Sequence, residues 1–195
     1  MSAPDAVDNS QPDWVASGSA RPIIIKGAAV LAGQCQPVTV FDDALRRLIA
    51  DMFATMYQAG GVGLAANQIG VDARIFVIDC PDERGHRVVA HVVNPEIEIL
   101  DQTPTRGGEG CLSVPGPRAE FPRPYAARVV GTDAFGDPVV LEGEGLASRC
   151  LQHETDHLDG HLYLDRLSLP ERNRVSEEFN AARLEASGFG SAVTR

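Results

Sequence analysis

The chain has 195 residues, 44% of them hydrophobic and 23% charged, which sets a bound of one soluble-type domain with tails and enough length to bury a core. Its formal net charge is -10 and its 17 basic residues are all arginine but one, with no basic stripe. That balance excludes nucleic-acid recognition of its own, because a phosphate grip needs a basic face.

Residues 1–20 are rich in Ser, Ala, Asp and Pro and are predicted to form a disordered tail with one large apolar anchor, Trp14. They hold no Lys or Arg and no apolar run of signal-peptide length, so no secretion signal is read there. Ile23, Ile24 and Ile25 form an apolar run far too short to span a membrane, and the cytoplasm is the expected compartment. The cysteines at 35, 80, 111 and 150 make no C-x-x-C pair, and in a reducing compartment an even number implies no disulfides.

Residues 27–37 read as irregular. From 42 to 59, Leu45, Leu48, Ile49, Met52, Phe53 and Met56 recur at helical spacing, with Asp42 as the cap and Gly60 as the left-handed stop. The glycines of the next stretch, residues 61–68, flank one apolar residue, Val62, and would let another backbone approach an extended edge, while Gln68 supplies an amide donor. A plain loop from helix to strand explains the same residues. Residues 75–79 and 88–93 predict a hairpin across a turn at 81–85, with His91 and Glu98 facing outward on alternation.

Residues 107–116 place Cys111 among glycines, a poor setting for core filler, and suggest a sulfur held out on a tight turn with the Leu112 N–H beside it, with a buried free cysteine as the alternative reading. Prolines at 117, 122 and 124 make the following segment extended or looped. Residues 128–130 and 139–141 predict a second hairpin. A helix from about 146 to 159 follows, its apolar face drawn from Leu146, Cys150, Leu151 and Leu158, and the last helix, over about 171–185, mixes Glu with Arg.

The helix over 146–159 carries His153-Glu154-Thr155-Asp156-His157. Two histidines four apart lie about 6 Å apart along one face and can reach a single metal, and the carboxylate beside the first can move a proton for a water activated there. This H-E-x-x-H pattern marks metal-dependent hydrolases. A catalytic site of this type needs a third protein ligand. His161 falls two residues short of the metzincin position, and Glu177 is available for a gluzincin arrangement but sits on a charged helix face. Cys150 lies seven residues before His157, about 10 Å along the axis, too far for one ion in a straight helix. Cys111 carries no such restriction.

Residues 61–68, Glu109-Gly110-Cys111-Leu112-Ser113 and the stretch from His153 to Gly160 together resemble, in order and separation, the three motifs of the peptide deformylases over about residues 21–170. The resemblance implies an α+β fold of small antiparallel or mixed sheets around a metal-binding helix, with a helix at each end and residues 171–195 as a C-terminal helix and tail. It implies Cys111, His153 and His157 as metal ligands, Glu154 as general acid and base, and Gln68 with the Leu112 N–H as oxyanion hole. Val62, Gly63, Leu64 and Gly108 would bind substrate backbone, Leu146, Arg149 and Cys150 would wall the methionine pocket, and Glu109 with Arg123 would support the cysteine. Iron(II) is the usual family metal, with zinc, nickel or cobalt as substitutes. The implied substrates are N-formylmethionyl peptides of new proteins, met near the ribosomal exit tunnel, although the basic docking tail of some relatives is not visible here. Residues 27–31 also lack a proline common near that point in the family. A zincin-type peptidase using Glu177, or a non-catalytic homologue, remains the alternative.

Overall fold

A computed structural model describes residues 13–82 and 85–186. Three helices, α1 (Asp43–Gln58), α2 (Gly145–Leu158) and α3 (Leu169–Ala186), accompany five strands, β1 (Gly63–Ala65), β2 (Ile75–Pro81), β3 (Arg87–Cys111), β4 (Val114–Thr132) and β5 (Pro138–Glu144). The strands form one antiparallel sheet in chain order, so the class is α+β, but a single sheet replaces the small or mixed ones expected. The two hairpins read from sequence are joined because β3 and β4 pair along almost their whole length. That pairing shifts register near Asn94, Leu100, Thr103 and Gly110, and such bulges bend the ribbon and sharpen its twist.

The sequence explains most elements locally. Asp42 caps α1 by accepting the Ala44 and Leu45 N–H groups at 2.9 and 3.0 Å, and Gly60 adopts φ +67° after its end. The helix buries Leu45, Ile49, Met52, Phe53 and Met56 against Leu64, Ile75 and Val77. A second core sets Cys150, Leu151 and Leu158 of α2 against Phe76, Ile78, Val92 and Val129. Every residue of α2 from 147 to 158 is buried, and the helix touches all five strands. Leu146 departs from the expected apolar face: one residue into the helix, it is 45% exposed. A third core joins Val175 and Phe179 of α3 to Phe121 and Tyr163.

Three expectations change. Residues 107–111 finish a strand rather than a loop, and only Leu112 and Ser113 form the turn, with Cys111 opposite Val114. His91 does not face out: its Nε2 accepts the Ala134 N–H at 3.0 Å and its ring meets Trp14 edge-on at 5.7 Å. The expected tail over 1–20 is shortened, because Asp13–Ser17 forms a 3-10 turn on α1 with Val15 buried and Trp14 between His91 and Phe135. The rest of that expectation, residues 1–12, lies outside the described residues. Glu98 is exposed, as alternation implies. Among the described residues no helix is long and apolar enough to cross a membrane.

Candidate active site

Cys111 is delivered by the tip of the β3–β4 hairpin, and His153 and His157 by successive turns of α2. Their ligand atoms all lie within 4.8 Å of one another, and Cys111 Sγ is 3.2 Å from His157 Nε2. Donors each 2.0–2.3 Å from one ion stand about 3–4 Å apart, so sulfur and nitrogen already have the spacing a shared metal requires. Neither Cys150 nor Glu177 joins this group, and Glu177 is exposed on α3.

A buried charge network sets the ring of His153. Its Nδ1 bonds Glu109 Oε1 at 2.7 Å, which places the proton on Nδ1 and leaves the Nε2 lone pair for a metal. Arg123 grips the same carboxylate with two bonds, at 2.7 and 2.8 Å, and reaches Asp156 at 2.8 Å, where Arg166 also pairs. Burial alone would raise the Glu109 pKa, but its bonds to Arg123 and His153 outweigh that and hold it well below the ordinary carboxylate range. At His157, burial and then the neighbouring His153 push the imidazole pKa well below 6.5, which favours the neutral form that ligates metals. Its Nδ1 is buried without a hydrogen-bond partner among the described residues.

Glu154 stands apart from the network. Burial lifts its carboxyl to about 7, a value suited to exchanging a proton at neutral pH, and its Oε2 is buried with no partner among the described residues. It faces β1, where Gly63 leaves room: a Cβ there would lie 2.8 Å from Glu154 Cδ. Gln68 is oriented by the Ala65 N–H, which donates to its Oε1 at 2.9 Å. The Nε2 then points toward Ser113 Oγ at 3.2 Å and Cys111 Sγ at 3.6 Å.

These groups open on a cleft of about 500 Å³. Of the residues assigned from sequence, Val62, Gly63, Gln68, Gly108, Glu109, Cys111, Leu112, Leu146, Cys150, His153 and Glu154 line it. Leu64 does not, since strand alternation turns its side chain into the α1 core, where it is fully buried. Arg123 lies behind Glu109 rather than on the cleft wall.

Arg149, also on the wall, points inward but spends its charge on the protein. It donates to Glu109 Oε2 at 2.9 Å and to the Thr105 carbonyl at 2.7 Å, and it lies against Gly107, where a Cβ would come within 3.0 Å of its Nε. Gly107 thus makes room for a guanidinium rather than for a turn. Sequence reasoning missed this contact, as well as Ser113 beneath Gln68 and the Asn67 amide, which donates to the His157 carbonyl at 2.5 Å. An arginine on an otherwise buried helix face was the available signal. Cys150 lines the cleft and shares a buried cluster with Cys80.

Residues 20–173 match the family model described as Polypeptide deformylase. The chain is 51% identical to peptide deformylase 2 of Streptomyces avermitilis over 161 residues, covering 83% of this chain and 87% of that one. It is 54% identical to the peptide deformylase of Mycolicibacterium paratuberculosis over 158 residues, covering 75% and 80%. Among solved structures, a peptide deformylase from Legionella pneumophila superposes with a TM-score of 0.77 at 42% identity, covering 86% of this chain and 98% of that one. The Ehrlichia chaffeensis peptide deformylase in complex with actinonin superposes with a TM-score of 0.75 at 36% identity, covering 82% and 95%.

Proposed function

The chain belongs to the peptide deformylase family and is a hydrolase that removes the formyl group from formylmethionyl peptides, and from that premise we propose how its own residues divide the work. The observation that carries the proposal is the gathering of Cys111, His153 and His157 beside the buried Glu154, whose Oε2 has no hydrogen-bond partner among the described residues. The donor set fits one divalent ion held by these three residues, which makes α2 the metal-binding helix of the fold. Iron(II) is the proposed native ion, with zinc, nickel or cobalt as substitutes, since one sulfur and two imidazoles suit several. The ion supplies Lewis acidity, which acidifies a water and polarises the formyl carbonyl.

The protein's part is to orient, to hold charge and to move one proton. The edge strand β1 begins at Gly63, and the backbone of Val62, Gly63 and Leu64 pairs with an extended peptide, with Gly108 on the lining of the same cleft. Glu154 takes the water's proton on its carboxylate and hands it to the departing amine as the formyl C–N bond breaks, releasing formate. Gln68 Nε2 and the Leu112 N–H donate to the oxygen that gains charge in between. Glu109 and Arg123 keep His153 in its ligating tautomer, and Arg149 adds a second guanidinium to Glu109. Leu146 and Cys150 wall the methionine pocket.

The catalytic unit is proposed to span residues 21–170, with 171–195 as an appended helix and tail. Its setting is proposed to be the cytoplasm near the ribosomal exit tunnel, where formylated chains emerge. The test is formate release from formyl-Met-Ala-Ser by anaerobically handled protein, with metal content measured on the same sample. The reading expects turnover with one metal per chain, and a Glu154→Ala variant that keeps its metal but loses turnover. Loss of metal in that variant would make Glu154 a structural residue instead.

A further inference from the structure

A second cavity, of about 630 Å³, opens beside the first between the β3–β4 hairpin and the segment leading into α3. Four arginines line it, Arg106 and Arg118 from the hairpin and Arg166 and Arg174 from the C-terminal segment, against two glutamates, Glu120 and Glu171. On a chain of net charge -10, the residues lining this cavity carry an excess of positive charge. Two of the arginines are already paired, Arg166 with Asp156 and Arg174 with Glu171 and Glu178. Arg106 donates to the Glu120 carbonyl at 3.1 Å, a neutral partner. Among the described residues, neither Arg106 nor Arg118 has a carboxylate in ion-pair range, and both are exposed.

The two cavities share a rim, since Gly108 and Arg118 line both. Gly108 raises no wall there, and a Cβ at that position would meet nothing within 4 Å. A peptide whose formyl end lies at Cys111 and Glu154 must carry its later residues out of the cleft. The low rim at Gly108 leads them past Arg118 within a few residues, at about 3.3–3.6 Å of extended chain each.

Resting on the deformylase reading, we infer that this arginine-lined cavity is the downstream subsite of the cleft and takes acidic side chains of the residues that follow formylmethionine. Guanidinium groups recognise carboxylates through two parallel N–H···O bonds, and neither Arg106 nor Arg118 is ion-paired to a carboxylate among the described residues. The enzyme therefore favours formyl-peptides with Asp or Glu in the early positions over neutral or basic ones.

The test compares formate release by the metal-loaded full chain from formyl-Met-Ala-Ser followed by Glu-Glu, Gln-Gln or Lys-Lys. The expected order of kcat/KM is Glu above Gln above Lys. Glu exceeds Gln by about three- to tenfold, the size of two partly exposed ion pairs, chiefly through KM. The preference shrinks as salt rises from about 0.05 to 0.5 M. In Arg106→Gln/Arg118→Gln the Glu to Gln ratio falls toward one, whatever the absolute rate. Equal kcat/KM for the three peptides in the wild type, or a ratio unchanged in the double variant, overturns the inference while leaving the deformylase reading intact. No release even from formyl-Met-Ala-Ser overturns both.

Discussion

At the scale of single residues, the cleft depends on two side chains held by close but unequal means. Gln68 is fixed through its carbonyl, so that only its NH₂ faces Cys111 and the cleft. Replacing it with alanine removes one donor to a developing oxyanion, and we expect turnover of formyl-Met-Ala-Ser to fall about 10²- to 10³-fold with metal content unchanged. Near-normal kcat would remove Gln68 from the mechanism. Glu154 is held by the absence of anything opposite it on β1. In Gly63→Ala the new Cβ meets the carboxylate, and a displacement of about 1 Å at a reacting group costs roughly 10² in rate. Metal analysis separates this from damage to the ligands: full occupancy with low kcat is the expected pair of results. The spacing of His153 and His157 makes their common face legible in sequence, because helix geometry alone brings them together. The direction of Arg149 was not legible, since its partners Glu109 and Thr105 lie 40 and 44 residues upstream on another element.

Among elements, α1 and α2 could be read from periodicity and end signals because their hydrogen bonds are local. Strands β3 and β4 could not be read whole, as glycines and prolines over residues 104–124 interrupt any alternation and the pairing is set by the partner strand. The short turn at Asp13–Ser17 escaped for a similar reason: polar and small residues surround Trp14 in the chain, and residues distant in sequence, His91, Phe135 and the α1 core, give it a place. Burial pushes the His91 pKa below its ordinary 6.5, with Asp133 opposing. The folded chain therefore refuses a proton that the unfolded chain accepts. The stability owed to neutral His91 is complete above pH 6.5 and is lost as pH falls through the lowered folded value. Urea midpoints measured from pH 7.5 to pH 5, followed by the emission of the single tryptophan, should fall less steeply in His91→Gln than in the wild type. Equal slopes would mean that His91 contributes nothing to the acid response.

For the whole molecule, the proposed ion is a cross-link between the sheet, through Cys111, and α2, through His153 and His157. A ligand that binds only the folded chain adds stability in proportion to its occupancy. Chelation should therefore abolish formate release and lower the melting temperature together, and cobalt(II) added back should restore both. An unchanged melting temperature after complete metal loss would show that the network of Glu109, Arg123 and Asp156 is rigid enough by itself. The strand order, in which each strand pairs only with its neighbours in the chain, has a temporal consequence. As the polypeptide is made, successive hairpins can zip up without waiting for distant partners, and the tip bearing the sulfur is shaped once residue 132 has appeared. The two imidazoles follow only with α2, so a nascent copy that has reached residue 144 carries all five strands and no working catalyst.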